Sequence, residues 1–556
     1  MKRRLVRIFF SLLGVFLVVI TFSSLTFKQR TNDRPLPAFY KKGVFHLHSN
    51  FSDGRGSITE ICRDARDNHL DFVILTDHGR PNLRSSAATA WNQGILLIGA
   101  SEFSLAAGHL AAAGYRVPDY IFPPEAQEAI DEVDGNGGVT FISHPMDRSI
   151  PWTDPQARGF TGIEILSLYQ MAKKNLLTGM ILLPLRYLFN PGYALTSLIT
   201  YPRQEMRLWD RCNRTDRCYG IYALDSHAKL QLSKKASLHF PSYGATFRIL
   251  TVYVKMENGF AKDPSSAAAA VTAALRRGDF FNVIESLAPA NGFENGYREK
   301  SGRRIAMGGD AQGPGGDMTF KLPFDFATDI VIKKDGEIFK RIRNNTRREL
   351  SVPIEQGGVY RAEISLASGR FRKLPWIMAN PFFIAMPAPA ARPAEAVGAT
   401  VPAGDVELFR VEKNSRSSAV LQLDKQDKEN PVLGLTFRLQ PEVPGDPNFW
   451  AALANRQKLA ASGRRGVVFE TRASRPMRFW LQFRSGGSDE TAYQHSFLAD
   501  ESWRRVTIPF AGFRRLYGPA TAPDLSAIRS LFFLIDNGNA YPGAAGEIFL
   551  RRIGLY

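Results

Sequence analysis

One pattern limits the folds open to this chain. Between residues 43 and 240, short apolar runs end again and again in histidine, aspartate or glutamate. Val44-Phe45 leads into His46-Leu-His48 and a polar turn ending at Asp53. Asp71-Phe-Val-Ile-Leu-Thr76 leads into Asp77-His78, and Gly94 to Ser101 into Glu102. Gly138 to Ser143 ends at His144, Gly162 to Ser167 contains Glu164, and Gly220 to Leu224 ends at Asp225-Ser-His227. Apolar runs of this length, bounded by turn residues, predict buried strands. The stretches Thr59 to Asn68 after Ser57 and Pro124 to Gly135 predict helices between them. Such alternation implies an α/β barrel whose parallel strands aim their C-terminal ends at one rim.

His46 and His48, two apart on a strand, point to one side, and the following turn can bring Asp53 back beside them. Taken alone, His-x-His also suits the surface of an edge strand. The later strand ends argue against that. Eight of the nine histidines precede residue 240, and His46, His48, His78, His109, His144 and His227 fall at strand ends or in this motif. His69, His239 and His495 lie outside the pattern and are expected to be structural or at the surface.

Together, His46-x-His48 with Ser49 and Asp53-Gly54, Thr76-Asp77-His78, Glu102, Ser143-His144-Pro145 and Asp225-x-His227 resemble the polymerase and histidinol phosphatase (PHP) superfamily of metal-dependent phosphoesterases. The resemblance implies a distorted (β/α)7 barrel with two or three divalent ions (zinc, manganese or iron) that hydrolyses phosphoesters. Carried over by position, it makes His46, His48, Asp53, His78, Glu102, His109, His144, Asp225 and His227 metal ligands. Asp53, Glu102 and His144 are also assigned to catalysis. Glu102 bridges ions, and Glu164 stands behind the ligands. Paired ions can acidify a water between them, which makes hydroxide the expected nucleophile. No Gly-x-Ser-x-Gly or P-loop pattern offers another route.

The chain's 556 residues allow several domains. The expected organisation is a cytoplasmic tip and anchor over 1–30, the barrel over 43–288, a small β-sandwich over 289–385, a Pro/Ala linker over 386–404 and a jelly roll over 405–556. Residues Ile8 to Phe27 carry no charge and are long enough for a transmembrane helix, behind Lys2, Arg3, Arg4 and Arg7. This predicts a single-pass membrane protein with its catalytic part outside the cytoplasm. A net charge of +18, spread in doublets such as Arg464-Arg465, favours anionic surfaces over a dedicated nucleic-acid groove. Cys62, Cys212 and Cys218 provide no disulfide framework, although Cys212 and Cys218 are spaced to pair.

An apolar insertion over 175–201 breaks the barrel pattern. It is expected to be a membrane-lying hairpin, a lid over the active site or ordinary helices packed on the barrel. The C-terminal strands resemble a galactose-binding-like jelly roll of the kind in family 11 carbohydrate-binding modules, which implies a carbohydrate partner. Trp450, Trp480, Trp503 and Tyr541 are its candidate stacking residues, with core packing as the alternative. The expected substrate is a phosphorylated small molecule, glycan or lipid headgroup. A metal-dependent amidohydrolase or deacetylase and a non-catalytic polysaccharide-binding surface protein remain as alternatives.

Overall fold

The computed structural model describes residues 15, 18–19, 21–32, 34–175, 182–233, 236–324, 326–387, 400–403, 405–427, 430–443, 448–486, 491–517 and 521–556. The chain divides into two compact units, one of residues 1–116 and 130–390, the other of 117–129 and 391–556.

In the first unit the sheet is built from β1 (Tyr40–Phe45), β2 (Phe72–Leu75), β3 (Ala90–Asn92), β4 (Ile95–Leu105), β5 (Gly108–Ala113), β6 (Val139–Ile142), β7 (Gly162–Ser167), β8 (Tyr219–Ala223), β11 (Leu250–Lys255) and β12 (Phe280–Ile284). A separate hairpin, β9 (Leu230–Ser233) and β10 (Ala236–Leu238), lies between β8 and β11. The main path runs β12-β11-β1-β2-β4-β5-β6-β7-β8, with β3 paired to β4. Strands such as Phe72–Leu75 are buried on both faces, which is why they read as unbroken apolar runs. Helix Ile58–Asp67 starts where the Ser57 hydroxyl accepts from the Glu60 N–H, and it buries Ile61, Cys62 and Ala65 against the sheet.

The expected distorted (β/α)7 barrel is corrected here to a mixed sheet. The parallel runs β1-β2-β4 and β6-β7-β8 are separated by β5, antiparallel to both of its neighbours, and β11 and β12 are antiparallel additions beside β1. Strand rather than helix dominates the described chain. The departure begins at β4, which continues past Glu102 and folds straight back into β5 at Gly108. At φ +131°, Gly108 favours glycine, and a Cβ there would lie 3.1 Å from the Pro151 carbonyl oxygen. A two-residue turn leaves no room for a helix.

Closure of β8 onto the other end of the sheet uses two different devices, one to β1 and one to β12. Near the rim, the Leu224 N–H donates to the Phe45 carbonyl (3.0 Å), Asp225 N–H to His46 (2.8 Å) and His48 N–H to Ser226 (3.0 Å). Deeper down, buried asparagine amides replace the ladder. Asn282 Oδ1 accepts from Tyr222 N–H at 2.7 Å while its Nδ2 donates to the Gly220 carbonyl at 2.8 Å. Asn380 Oδ1 accepts from Gly220 N–H at 2.8 Å, and its Nδ2 donates to the Phe280 carbonyl. Past β12, strands Ile377–Ala379 and Gly358–Leu366 continue the same sheet, and a four-stranded sheet including Glu294–Arg298 and Gly316–Lys321 lies apart from it.

The second unit is a sandwich of two six-stranded antiparallel sheets around a core that includes Phe437, Phe469, Phe479, Phe483 and Phe533. Residues 117–129 pack with it, although they lie between β5 and β6 in sequence. There the buried Arg478 guanidinium meets Glu128 at 3.0 Å. Trp480 is buried and donates to Asp536 Oδ1 at 2.8 Å, a core role rather than a stacking one.

The expected membrane anchor is also corrected. Residues 8–14, 16, 17 and 20 of Ile8–Phe27 lie outside the described residues, and no described helix is long and apolar enough to cross a membrane. The single-pass, extracytoplasmic placement built on that helix loses its support. In the insertion, residues 176–181 lie outside the described residues, and the remainder includes the short helices Leu182–Phe189 and Pro191–Thr196. All three cysteines are free thiols.

Replacing Asn282 with alanine strands the Tyr222 N–H and Gly220 C=O in the interior and opens a void. The expected cost is about 3 kcal/mol, read as a lower urea midpoint for the first unit's transition.

Candidate metal centre

Every residue assigned to the site lies at the end of the sheet where β1, β2 and β8 finish, or on the β4–β5 extension above it. Glu102 is at the middle, 1% exposed. Its Oε2 stands 3.3 Å from His46 Nε2, 3.4 Å from His48 Nε2 and 3.3 Å from His78 Nδ1. Its Oε1 stands 3.3 Å from His109 Nδ1 and 3.2 Å from His144 Nε2. The β4–β5 hairpin explains His109, which opposes Ser104 in the register and so hangs above Glu102. Asp225 Oδ1 lies 3.6 Å from His46 Nε2 and 3.4 Å from His48 Nε2. At the mouth, the half-exposed Asp53 carboxylate reaches His227 Nε2 (3.3 Å), His48 Nδ1 (3.7 Å) and His78 Nε2 (3.8 Å).

The structure therefore brings all nine predicted positions together. It leaves the others apart: His239 sits 3.1 Å from Glu60, and His495, in the second unit, sits 3.4 Å from Glu128.

These distances suit ions. Two ligand atoms each ~2.1 Å from one ion at a tetrahedral angle lie roughly 3.4 Å apart. Among the described residues, three overlapping groups have all their ligand atoms within 4.8 Å of one another: His46, His48 and Glu102; His48, Asp53, His78 and His227; and His78, Glu102 and His109. Buried ring nitrogens of His48, His78, His109 and His144 have no hydrogen-bond partner among the described residues. Burying a polar atom without a partner is costly, and a metal ion would satisfy such nitrogens. The mixed imidazole and carboxylate donor set fits divalent metal ions.

A supporting layer holds the ring orientations. Glu164 Oε1 accepts from His46 Nδ1 at 2.5 Å, leaving Nε2 free to face Glu102, and Glu164 Oε2 accepts the His144 backbone N–H at 2.8 Å. Asp77, beside His78 in sequence, instead ties the first motif's turn through Ser49 N–H (2.8 Å), Ser49 Oγ (2.7 Å) and Ser52 Oγ (2.6 Å). Tyr243 has no local signature, yet its hydroxyl donates to the His48 carbonyl at 2.7 Å and accepts the Gly56 N–H at 3.1 Å. His46, His144 and Asp225 carry positive φ values of 68°, 29° and 51°, a region non-glycine residues enter at a cost.

Electrostatics follow from the crowding. Burial pushes the His46 imidazole down, but Glu164, Glu102 and Asp225 more than offset it and hold it well above its usual range. The same competition pushes His144 up to about 9. His48 goes the other way, to about 4, because burial and the neighbouring His227 both oppose a second cation. Burial disfavours ionised Glu102 and Asp225, yet the surrounding imidazoles hold both carboxyls well below the usual range.

No protein-family model and no curated protein matches the chain. Among solved structures, a two-domain protein from Bacteroides vulgatus containing a predicted PHP-like metal-dependent phosphoesterase aligns over 64% of this chain and 99% of its own, at 14% identity and TM-score 0.28. A family 11 carbohydrate-binding module from Clostridium thermocellum, in complex with a mixed-linked tetrasaccharide, aligns over 28% of this chain and 93% of its own, at 15% identity and TM-score 0.22. A family 30 carbohydrate-binding module from the same organism covers 27% and 91%, at 14% identity and TM-score 0.21.

Tyr243→Phe removes the partner of the His48 carbonyl and the Gly56 N–H. The expected loss is about 2 kcal/mol, with faster amide exchange at Gly56 as the local readout.

Proposed function

We propose that the first unit is a metal-dependent hydrolase of phosphoesters. The observation that carries this reading is Glu102, a buried carboxylate whose two oxygens each face imidazoles on different sides. His46, His48, Asp53, His78, His109, His144, Asp225 and His227 would complete the set that holds two or three divalent ions. When bound, such ions polarise a phosphoryl oxygen and acidify water, so no side-chain nucleophile is required.

The chain's own groups have distinct tasks. Glu164 fixes the His46 ring by taking its Nδ1 proton in a hydrogen bond. Asp53 faces the mouth, where burial opposes ionisation but His227, His48 and His78 keep its carboxyl ionised. An anion there can accept a hydrogen bond from the attacking water and orient it. Glu102 and Asp225 supply the negative charge that several cations need in a site largely closed to solvent.

Residues 31–556, loaded with manganese or zinc, are expected to release phosphate or an alcohol from phosphoesters and to leave amide substrates intact. Cleavage of amides with no phosphoester turnover under any metal would overturn the reading. Glu102→Gln is expected to abolish both metal content, measured by elemental analysis, and turnover. Glu164→Gln, which keeps the shape but removes the charge behind His46, is expected to weaken metal affinity roughly 10–100-fold.

Metal loading must also displace protons. In the metal-free protein His46 and His144 stay protonated through neutral pH, because their proton affinities are raised. Apparent metal affinity is therefore expected to climb as pH rises toward about 9, where His144 gives up its proton. Calorimetric titrations in buffers of different ionisation enthalpy would register the released protons.

A further inference from the structure

The apolar insertion that interrupts the barrel pattern has a place in the site. A cavity of about 410 Å³ is lined in part by Asp53, Asp225 and His227. Its remaining wall is largely hydrocarbon, made by Leu168, Ala172, Leu183, Leu195, Leu198 and Leu224. Most of these come from the chain between β7 and β8, on helices Leu168–Lys174, Leu182–Phe189 and Pro191–Thr196 or just beyond. Several of the polar groups in this wall are already engaged, and Tyr169 and Gln231 also line it. Ser226 and Thr246 share a hydrogen bond at 3.1 Å, Lys173 is paired with Asp147 at 2.9 Å, and Lys229 donates to the Asp53 carbonyl at 3.1 Å. The volume is that of a small-ligand pocket. A sugar or nucleotide placed there would leave hydroxyls and ring nitrogens facing leucine without partners, a costly desolvation.

We propose that the substrate is a phosphoester of a hydrophobic alcohol, whose hydrocarbon fills this cavity while its phosphoryl group faces the imidazole and carboxylate cluster. The proposal rests on the phosphoesterase reading and narrows it to a substrate class. In the reaction, a bond forms from a water oxygen to phosphorus and the ester P–O bond breaks. The departing alcohol takes one of the water's protons, and no electron carrier is involved. Leucines selected for an apolar leaving group also explain why the insertion is hydrophobic without being long enough to span a bilayer.

The test is a series of ethyl, butyl, hexyl and octyl phosphates, all below their micellar concentrations, hydrolysed by the manganese-loaded protein, with glucose phosphate as the polar comparator. The expected result is a rise in kcat/KM of about fourfold per methylene, which is ~0.8 kcal/mol, until the cavity is full, with glucose phosphate slowest. Calorimetric binding of the matching alkyl phosphonates, which are not hydrolysed, should show the same slope. Ala172→Trp, which occupies the cavity from a half-buried position, is expected to flatten both slopes.

The outcomes separate the two claims. Hydrolysis at equal efficiency across the series, or faster on glucose phosphate, overturns the apolar-substrate proposal and leaves the phosphoesterase reading standing. Chain-length-dependent phosphonate binding without turnover of any phosphate overturns the reaction while supporting the cavity's role. No turnover and a flat binding series overturn both.

Discussion

The fold of the first unit turns on keeping the Glu102 carboxylate charged in a nearly dry interior. An isolated carboxylate at 1% exposure would shed its charge by binding a proton. Here five imidazoles surround it, and their combined effect exceeds the burial penalty. The dependence is mutual, because His46 and His144 stay protonated for want of any other way to meet Glu102, Glu164 and Asp225. A cluster so rich in ligand atoms and so short of hydrogen-bond partners is better suited to hold cations than protons, which is the physical basis of the proposed chemistry.

Holding that cluster shapes the backbone. His46, His144 and Asp225 sit in the left-handed region, where a β-carbon is crowded, and each follows directly on a strand or its extension. The strain turns their side chains inward at the point where the strand would otherwise carry them along its pleat. Main-chain bonds close β1 to β8 at this level, and Asn282 and Asn380 close the sheet below it. The rim can depart from a regular ladder because those buried amides satisfy the polar groups the departure exposes.

Much of this was legible in the residues. A strand end followed by His or Asp carries both its structural signal and its chemistry in one local stretch, so His46, His48, His78, Glu102, His144, Asp225 and His227 could be found by reading along the chain. His109 was the harder case, since its alanine-rich surroundings carry little other signal, and the β4–β5 hairpin sets it opposite Ser104. Tyr243 could not have been found, because its hydroxyl serves a carbonyl 195 residues away and leaves no periodic or spacing signal. The mixed strand directions of the sheet escaped the sequence for a related reason. Periodicity reports which segments are strands and which faces are buried, but it does not report the direction of β5 or the replacement of a ladder by asparagine amides.

Composition and spacing by themselves determined the donor types, their order and the apolar character of the insertion, because those are properties of contiguous residues. The apolar Ile8–Phe27 stretch shows the limit of that logic, since no described helix is long and apolar enough to cross a membrane. Tertiary structure alone decided that Glu102 is the hub, that Glu164 stands behind His46, that residues 117–129 belong with the second unit, and that the insertion's leucines form a wall beside Asp53 and His227. Each of these depends on distances between segments far apart in the chain. Only folding, by burying apolar surface and pairing the polar groups left inside, sets such distances.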